Sequence, residues 1–583
     1  MNSESLGMRI CHSIAAHAAV GGIALAGMVL SAWCATEGNM ATRTSALRIT
    51  VRNEVLNPVN DELFGQFMER AYGGELGAEA GVDQATGKLQ PEVRKLLSGM
   101  RIPLVRFPGG TAVDYREWTE MVDNIPGRGG PRPTTRVKDS RTNEEREYNN
   151  RFGYDEFLRL AETNGWATDL VVNFRDGLLG VKPLEEAVAH QAKLLAYCNA
   201  PVDAALPKEL AEFARLRAAN GHEKPYGVKY VQIGNETWFF EESVKQTHPD
   251  DPTGHWIKCL RRYVQMIRSI DPNARIIVDA YPQPVAEAMH REFGKAIFAY
   301  AWHLYRPWGI KEIRKDGHVV DLSTLSARDV WNAWVTVPLV DADGQSVLED
   351  KCFEPASRLG YKVAMTEWNW NGGWWGRKGP VPLDSLLAKG VGAASFLHSI
   401  MRRGALIPLA AQSMLVGNAW DIAAIHADPD AREAPYMRPM GMVTMLYSQH
   451  HGSQRLAATL ENMPFFEQPY DINMLAPKKV AAVDVVCTRS AKAVFVHMVN
   501  RQFESPMPVE VDVASLGAGG AAATLHVMTG RLENEPPPGE SRCPTRIDAR
   551  TVPVSAAKAT VELPSRSVAI LEIPLIARDP KNE

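Results

Sequence analysis

Between Leu63 and Gln412 the sequence alternates, eight times over, between a short apolar run and, in most cases, a longer stretch with helical spacing. The apolar runs cover residues 63–67, 103–107, 168–174, 228–233, 275–280, 299–304, 361–366 and 405–411. The helical stretches cover 92–100, 155–162, 184–197, 256–270, 285–293, 327–335 and 383–401. Strand–helix alternation implies a parallel sheet, because parallel neighbours need a crossover and helices supply it. Eight units over roughly 350 residues suit a closed (β/α)8 TIM barrel with insertions. The polar segment 123–150 reads as a surface excursion from it.

A barrel brings the ends of its strands together on one face, where active sites lie. The polar residues at those ends are Glu69, Arg106, Asn173, Glu236, His303, Glu367 and Gln412. Two share a grammar. Tyr230-Val-Gln-Ile-Gly-Asn-Glu236-Thr-Trp238 and Lys362-Val-Ala-Met-Thr-Glu367-Trp-Asn-Trp370 both run from an apolar strand to a glutamate and then to indoles. A carboxyl group beside aromatic surface is partly desolvated, which favours its neutral form and suits a general acid. Paired strand-end carboxylates suggest glycoside hydrolysis. A barrel that only binds carbohydrate is the reading from another class; retention of both glutamates argues against it.

After about Met440 the helices give way to short strands at 480–486, 493–499, 509–513, 525–528, 560–563 and 567–573, which read as a C-terminal β-sandwich. The early strand 47–51 is expected to join it. At the other end, Arg9 precedes a mostly apolar run from Ile14 to Ala35. That pattern reads as a secretory signal, with a membrane anchor as the alternative. The expected division is 1–35 as signal or anchor, 46–61 as a strand joining the sandwich, 62–440 as barrel and 441–583 as sandwich. A secreted or periplasmic protein follows, touching membrane only if the apolar run is retained. A net charge of −4 without a basic run excludes a general pull toward nucleic acid. The seven cysteines contain no Cys-x-x-Cys pair, so a structural zinc site is not expected and the thiols should be mostly free and buried.

The motifs, in order, are Phe64-Gly-Gln-Phe-Met-Glu69-Arg70 with Tyr72-Gly-Gly, Arg106-Phe-Pro-Gly-Gly110, Gly234-Asn-Glu236, His303-x-Tyr305, Thr366-Glu367-Trp-Asn369 and Ala411-Gln412. As an ordered set they resemble glycoside hydrolase family 51, the α-L-arabinofuranosidases, from roughly Ala46 to the end of the chain. The resemblance implies a retaining mechanism on a carbohydrate substrate, with Glu236 as acid/base and Glu367 as nucleophile. It implies that Glu69, Asn235, Tyr305 and Gln412 bind furanose hydroxyls and that His303 supports the pocket. It implies no metal or organic cofactor, and it leaves a homo-oligomer open. A related retaining specificity, β-xylosidase or endoglucanase, is the alternative. The chain departs from the family pattern at Thr111, where Asn is usual, at Thr237-Trp238-Phe239, and at Ser413-Met414-Leu415. These positions surround the sugar, and Thr111 is a candidate substrate contact.

Overall fold

The computed structural model describes residues 45–575 apart from 73–75, 139–144, 280–282, 337–338, 349–352, 372, 375–379, 419–420, 431–432, 473–477, 518–519 and 535–542. The apolar run at 14–35, with its reading as signal or anchor, lies outside them. Among the described residues no helix is long and apolar enough to cross a membrane.

Eight parallel strands close into a barrel: β1 Gly65–Phe67, β2 Leu104–Phe107, β3 Ala167–Val172, β4 Tyr230–Ile233, β5 Arg275–Val278, β6 Ala299–Tyr305, β7 Val363–Asn369 and β8 Ala410–Ser413. Each pairs with its neighbours in sequence, and β8 closes on β1 through Ala411↔Gly65 and Ser413↔Phe67. The strands are nearly continuous apolar runs because helices cover the outside and side chains fill the lumen. The fold is thus a (β/α)8 barrel with an added β domain.

The lumen is layered. Leu104, Tyr230, Ile277, Ala299, Ala301, Ala364 and Leu409 form an apolar cluster in its lower part. Two residues further along β2, β3 and β4, where side chains return to the same face, stand Arg106, Asp169 and Gln232, all fully buried. Asp169 has no hydrogen-bond partner on either carboxylate oxygen. Burial pushes its pKa up to about 7, against the pull of Arg106.

The second domain closes nine antiparallel and parallel strands around its own core of Leu47, Ile49, Val494, Val496, Val509, Leu525 and Leu571. Strand Leu47–Pro58 lies between Gln454–Glu461, antiparallel, and Met507–Asp512, parallel. Two of its strands, Gln454–Glu461 and Thr545–Ser555, are unexpected from the sequence. They bury few side chains, so their apolar alternation is faint. The sequence also hides helix Pro439–Gln449, which spans residue 440. Its apolar residues are spread over nearly all its faces, so it has no stripe to betray it. The excursion at 123–150 contains a hairpin of Thr134–Lys138 against Glu145–Asn149. Cys198, Cys259 and Cys487 are free and buried, and Cys543 is partly buried.

Candidate active site

Glu236 follows β4 and Glu367 ends the inward face of β7. One carboxylate oxygen of each, together with a His303 ring nitrogen, lies within 4.8 Å of the others. Gly110 lets the carboxylates gather. A Cβ there would stand 2.9 Å from Glu69 Oε1 and 3.1 Å from Glu367 Oε1, closer than side chains tolerate. Glu236 itself has φ 45°, the left-handed region that a non-glycine residue enters only when its surroundings insist. The clamp is visible. Thr237 donates its backbone N–H to Asp279 Oδ2 at 3.2 Å, and its hydroxyl lies 3.2 Å from Asp279 Oδ1. Asp279 is anchored in turn through its own N–H to Ile233 O, 3.0 Å. Burial raises the Asp279 pKa to about 6, opposed by His303.

Glu367 is held from three sides. Arg106 Nη1 donates to its Oε1 at 2.7 Å, and the Tyr305 hydroxyl donates to its Oε2 at 2.7 Å. His303 Nδ1 stands 3.5 Å from the same Oε2. Burial raises the pKa of Glu367, but His303, Arg106 and the Tyr305 hydrogen bond outweigh it and hold the group below its usual 4.5. Arg106 is locked in turn, Nε on Gln232 Oε1 at 3.1 Å and Nη2 on Asn235 Oδ1 at 2.7 Å. His303 is hydrogen-bonded through Nδ1 to Glu236 Oε1 at 3.0 Å and through Nε2 to Thr366 Oγ1 at 3.1 Å. Burial lowers its pKa, and the two glutamates more than compensate, raising it. The site therefore holds one carboxylate fixed in its ionised form beside another that is 20% exposed and opens toward solvent.

A pocket of about 240 Å³ opens above the pair, lined by Phe67, Glu69, Tyr72, Gly110, Thr111, Glu236, Tyr305, Trp308, Glu367, Met414 and Ile422. Glu69, Thr111 and Tyr305 thus face it with both glutamates. Asn235 and His303 stand behind the carboxylates, occupied by Arg106 and Glu236 respectively. Gln412 is outside the lining. It pairs in register with Gln66, its Oε1 accepts from Gln66 Nε2 and from the Thr444 hydroxyl on helix Pro439–Gln449, and it faces that helix. Alternation then turns Ser413 inward, 2.9 Å from the Tyr305 oxygen. Asn173 braces the neighbouring turn by donating to Val113 O and Asp114 O. The indoles after Glu367 are also structural. Trp368 stacks on Phe396 of the covering helix, and Trp370 packs on Trp334. Sequence reasoning missed Trp308, Ile422 and Asp279, whereas Met414 belongs to a departure it placed beside the sugar. Asp279 ends a strand and carried that signal; Trp308 and Ile422 come from loops with no pattern.

A family model described as "Alpha-L-arabinofuranosidase 1 domain" matches residues 96–305, a stretch that holds Arg106, Glu236, His303 and Tyr305 and stops short of Glu367. The chain is 32% identical to "Probable alpha-L-arabinofuranosidase C" of Aspergillus niger over 187 residues, 31% of this chain and 32% of that protein. It is 25% identical to "Intracellular exo-alpha-L-arabinofuranosidase" of Bacteroides ovatus over 254 residues, 42% and 43% of the two chains. The matched stretches thus span about a third to two fifths of these relatives. Among solved structures, an arabinose complex of the α-L-arabinofuranosidase from Thermotoga maritima superposes with TM-score 0.62 at 22% identity, covering 91% of this chain and 100% of that one. The GH51 α-L-arabinofuranosidase from Thermotoga petrophila gives 0.63 at 22% identity, covering 90% and 100%. At such identity the structures establish the shared fold. All three comparisons agree with the family resemblance carried by the motifs.

Proposed function

We propose that the chain is a retaining glycoside hydrolase that releases terminal α-L-arabinofuranosyl residues from plant-type polysaccharides or oligosaccharides. The observation that carries this reading is the approach of Glu236 and Glu367, whose carboxylate oxygens come within 4.8 Å. Retention calls for carboxyl groups about 5–5.5 Å apart, whereas inversion needs about 6.5–9.5 Å to admit a water between them. Glu367, held ionised by Arg106 and Tyr305, attacks the anomeric carbon as Glu236 protonates the departing oxygen. The glycosyl–Glu367 ester is then cleaved by a water that Glu236 deprotonates, which returns both carboxyls to their starting states. Arabinan as one of the polymers and export of the protein belong to the same proposal; the apolar run at 14–35 supports the latter.

The test is Glu367→Ala. It abolishes turnover of an aryl α-L-arabinofuranoside, and added azide restores it with an inverted glycosyl azide as product, because the small anion fills the space of the lost carboxylate. Full activity in the variant, or no rescue by any small nucleophile, refutes the assignment. A panel of aryl glycosides on the wild type separates arabinofuranosidase from xylosidase or glucanase action.

A further inference from the structure

Far from the pocket in sequence, three metal-ligating side chains converge where the barrel meets the second domain. His450 caps the C-terminus of helix Pro439–Gln449. His526 lies on strand Ala522–Gly530 and Glu572 on Ser567–Pro574, which pair antiparallel through Thr524↔Glu572 and His526↔Ile570. Even spacing puts both side chains on one face of the sheet. It is the face whose Met528, Val568 and Ile570 join the barrel's core. Glu572 Oε2 lies 3.0 Å from His450 Nδ1 and 3.7 Å from His526 Nε2, and the three donor atoms are within 4.8 Å of one another. We propose that His450, His526 and Glu572 bind one divalent transition-metal ion, zinc by the nature of the donors, and so tie helix Pro439–Gln449 to the second domain.

Three further observations support the site. Tetrahedral zinc with bonds of about 2.0–2.1 Å to nitrogen and oxygen separates its ligand atoms by about 3.3 Å. The two measured separations bracket that value; the stacked rings must turn apart from their 28° interplanar angle to aim both lone pairs at one ion. Second, His526 Nε2 is buried without a hydrogen-bond partner, and 3.7 Å to the carboxylate is too long to supply one. An ion between them satisfies that nitrogen. Third, the imidazole rings of His450 and His526 stack with centroids 3.8 Å apart, which disfavours two imidazolium charges. Neutral imidazole is the metal-binding form, and two imidazoles with one carboxylate favour zinc over magnesium or calcium. All three residues are partly exposed, which leaves an entry path and room for a water as fourth ligand.

The experiment uses the full chain, stripped with a chelator and titrated with zinc against a chromophoric competitor, with thermal unfolding followed in parallel. Wild type takes up one zinc and gains melting temperature on binding. His526→Gln and Glu572→Gln each weaken binding by at least about tenfold and lose the zinc-dependent gain. Both variants melt, metal-free, near the metal-free wild type; should one not fold, the other is read in the same way. No uptake by wild type with zinc in large excess overturns the proposal. So does uptake that survives both variants but is lost in His303→Gln, since that ion would sit between Glu236 and Glu367.

Discussion

Tyr305→Phe removes one oxygen and leaves the ring in place. The hydroxyl donates 2.7 Å to Glu367 Oε2, and Glu367 is almost fully buried. A hydrogen bond to an ionised acceptor contributes roughly 1.5–3 kcal/mol. At about 1.4 kcal/mol per tenfold, kcat/KM should fall roughly 10- to 150-fold. The direction of the pH effect also follows. Burial raises the Glu367 pKa; His303, Arg106 and the Tyr305 hydrogen bond outweigh it. Without the hydroxyl that pKa rises. Glu367 reacts as the carboxylate, so activity is lost as pH falls through its pKa, and the acid limb of kcat/KM moves to higher pH. The assay is kcat/KM of an aryl α-L-arabinofuranoside across pH, with circular dichroism to confirm an unchanged fold. A loss of rate with an unmoved acid limb, or a limb that moves down, would refute the reasoning and leave Tyr305 as a contact to the sugar alone.

Glu236→Ala should lose most activity on poor leaving groups, keep glycosylation by leaving groups that need no proton, and lose the alkaline limb of kcat/KM; equal losses on both classes would remove its acid role. Thr111 lines the pocket and its side chain makes no capping hydrogen bond, so Thr111→Asn, which adds a longer donor and acceptor, should lower KM for aryl arabinofuranosides; unchanged kinetics across several sugars would show that Thr111 only packs beside the glycine turn. Asp484, fully buried, accepts from Arg402 at 2.7 Å and Arg501 at 2.9 Å, and Asp484→Asn should cost about 3–5 kcal/mol in urea unfolding because it strands buried guanidinium groups. Although burial opposes it, Arg402, Arg501 and His398 hold the Asp484 pKa well below 3.8, so its stabilisation is present above pH 3.8 and is lost as pH falls toward the folded value; the variant should lack that acid-dependent loss, and identical profiles would count against the network.

The barrel was legible because its strands are buried on both faces and its helices on one, and those burials write opposite periodicities into the chain. The site was legible for a narrower reason. A strand-end position identifies a residue that reaches the catalytic face, but facing the lumen depends on parity along the strand, and a single step reverses it. Arg106 falls on the inward parity, and Glu367, three residues beyond the lumen residue Ala364, is brought inward by a register shift of β7 against both neighbours; Gln412 falls on the outward one, where Gln66 and Thr444 take its amide oxygen. Its neighbour Ser413 has the small side chain that the inward place beside Tyr305 accepts. The same parity turns Trp368 outward onto Phe396, although an indole beside a glutamate suggests a sugar platform. Register, then, separates the residues that face the pocket from those that hold the barrel. Register is set by pairing between strands distant in the chain, such as Ala411 with Gly65, and no local pattern contains it. The cluster of His450, His526 and Glu572 is the extreme case. Its members belong to three elements and two domains, so spacing along the chain, which offered no cysteine-type zinc motif, had no means of finding it.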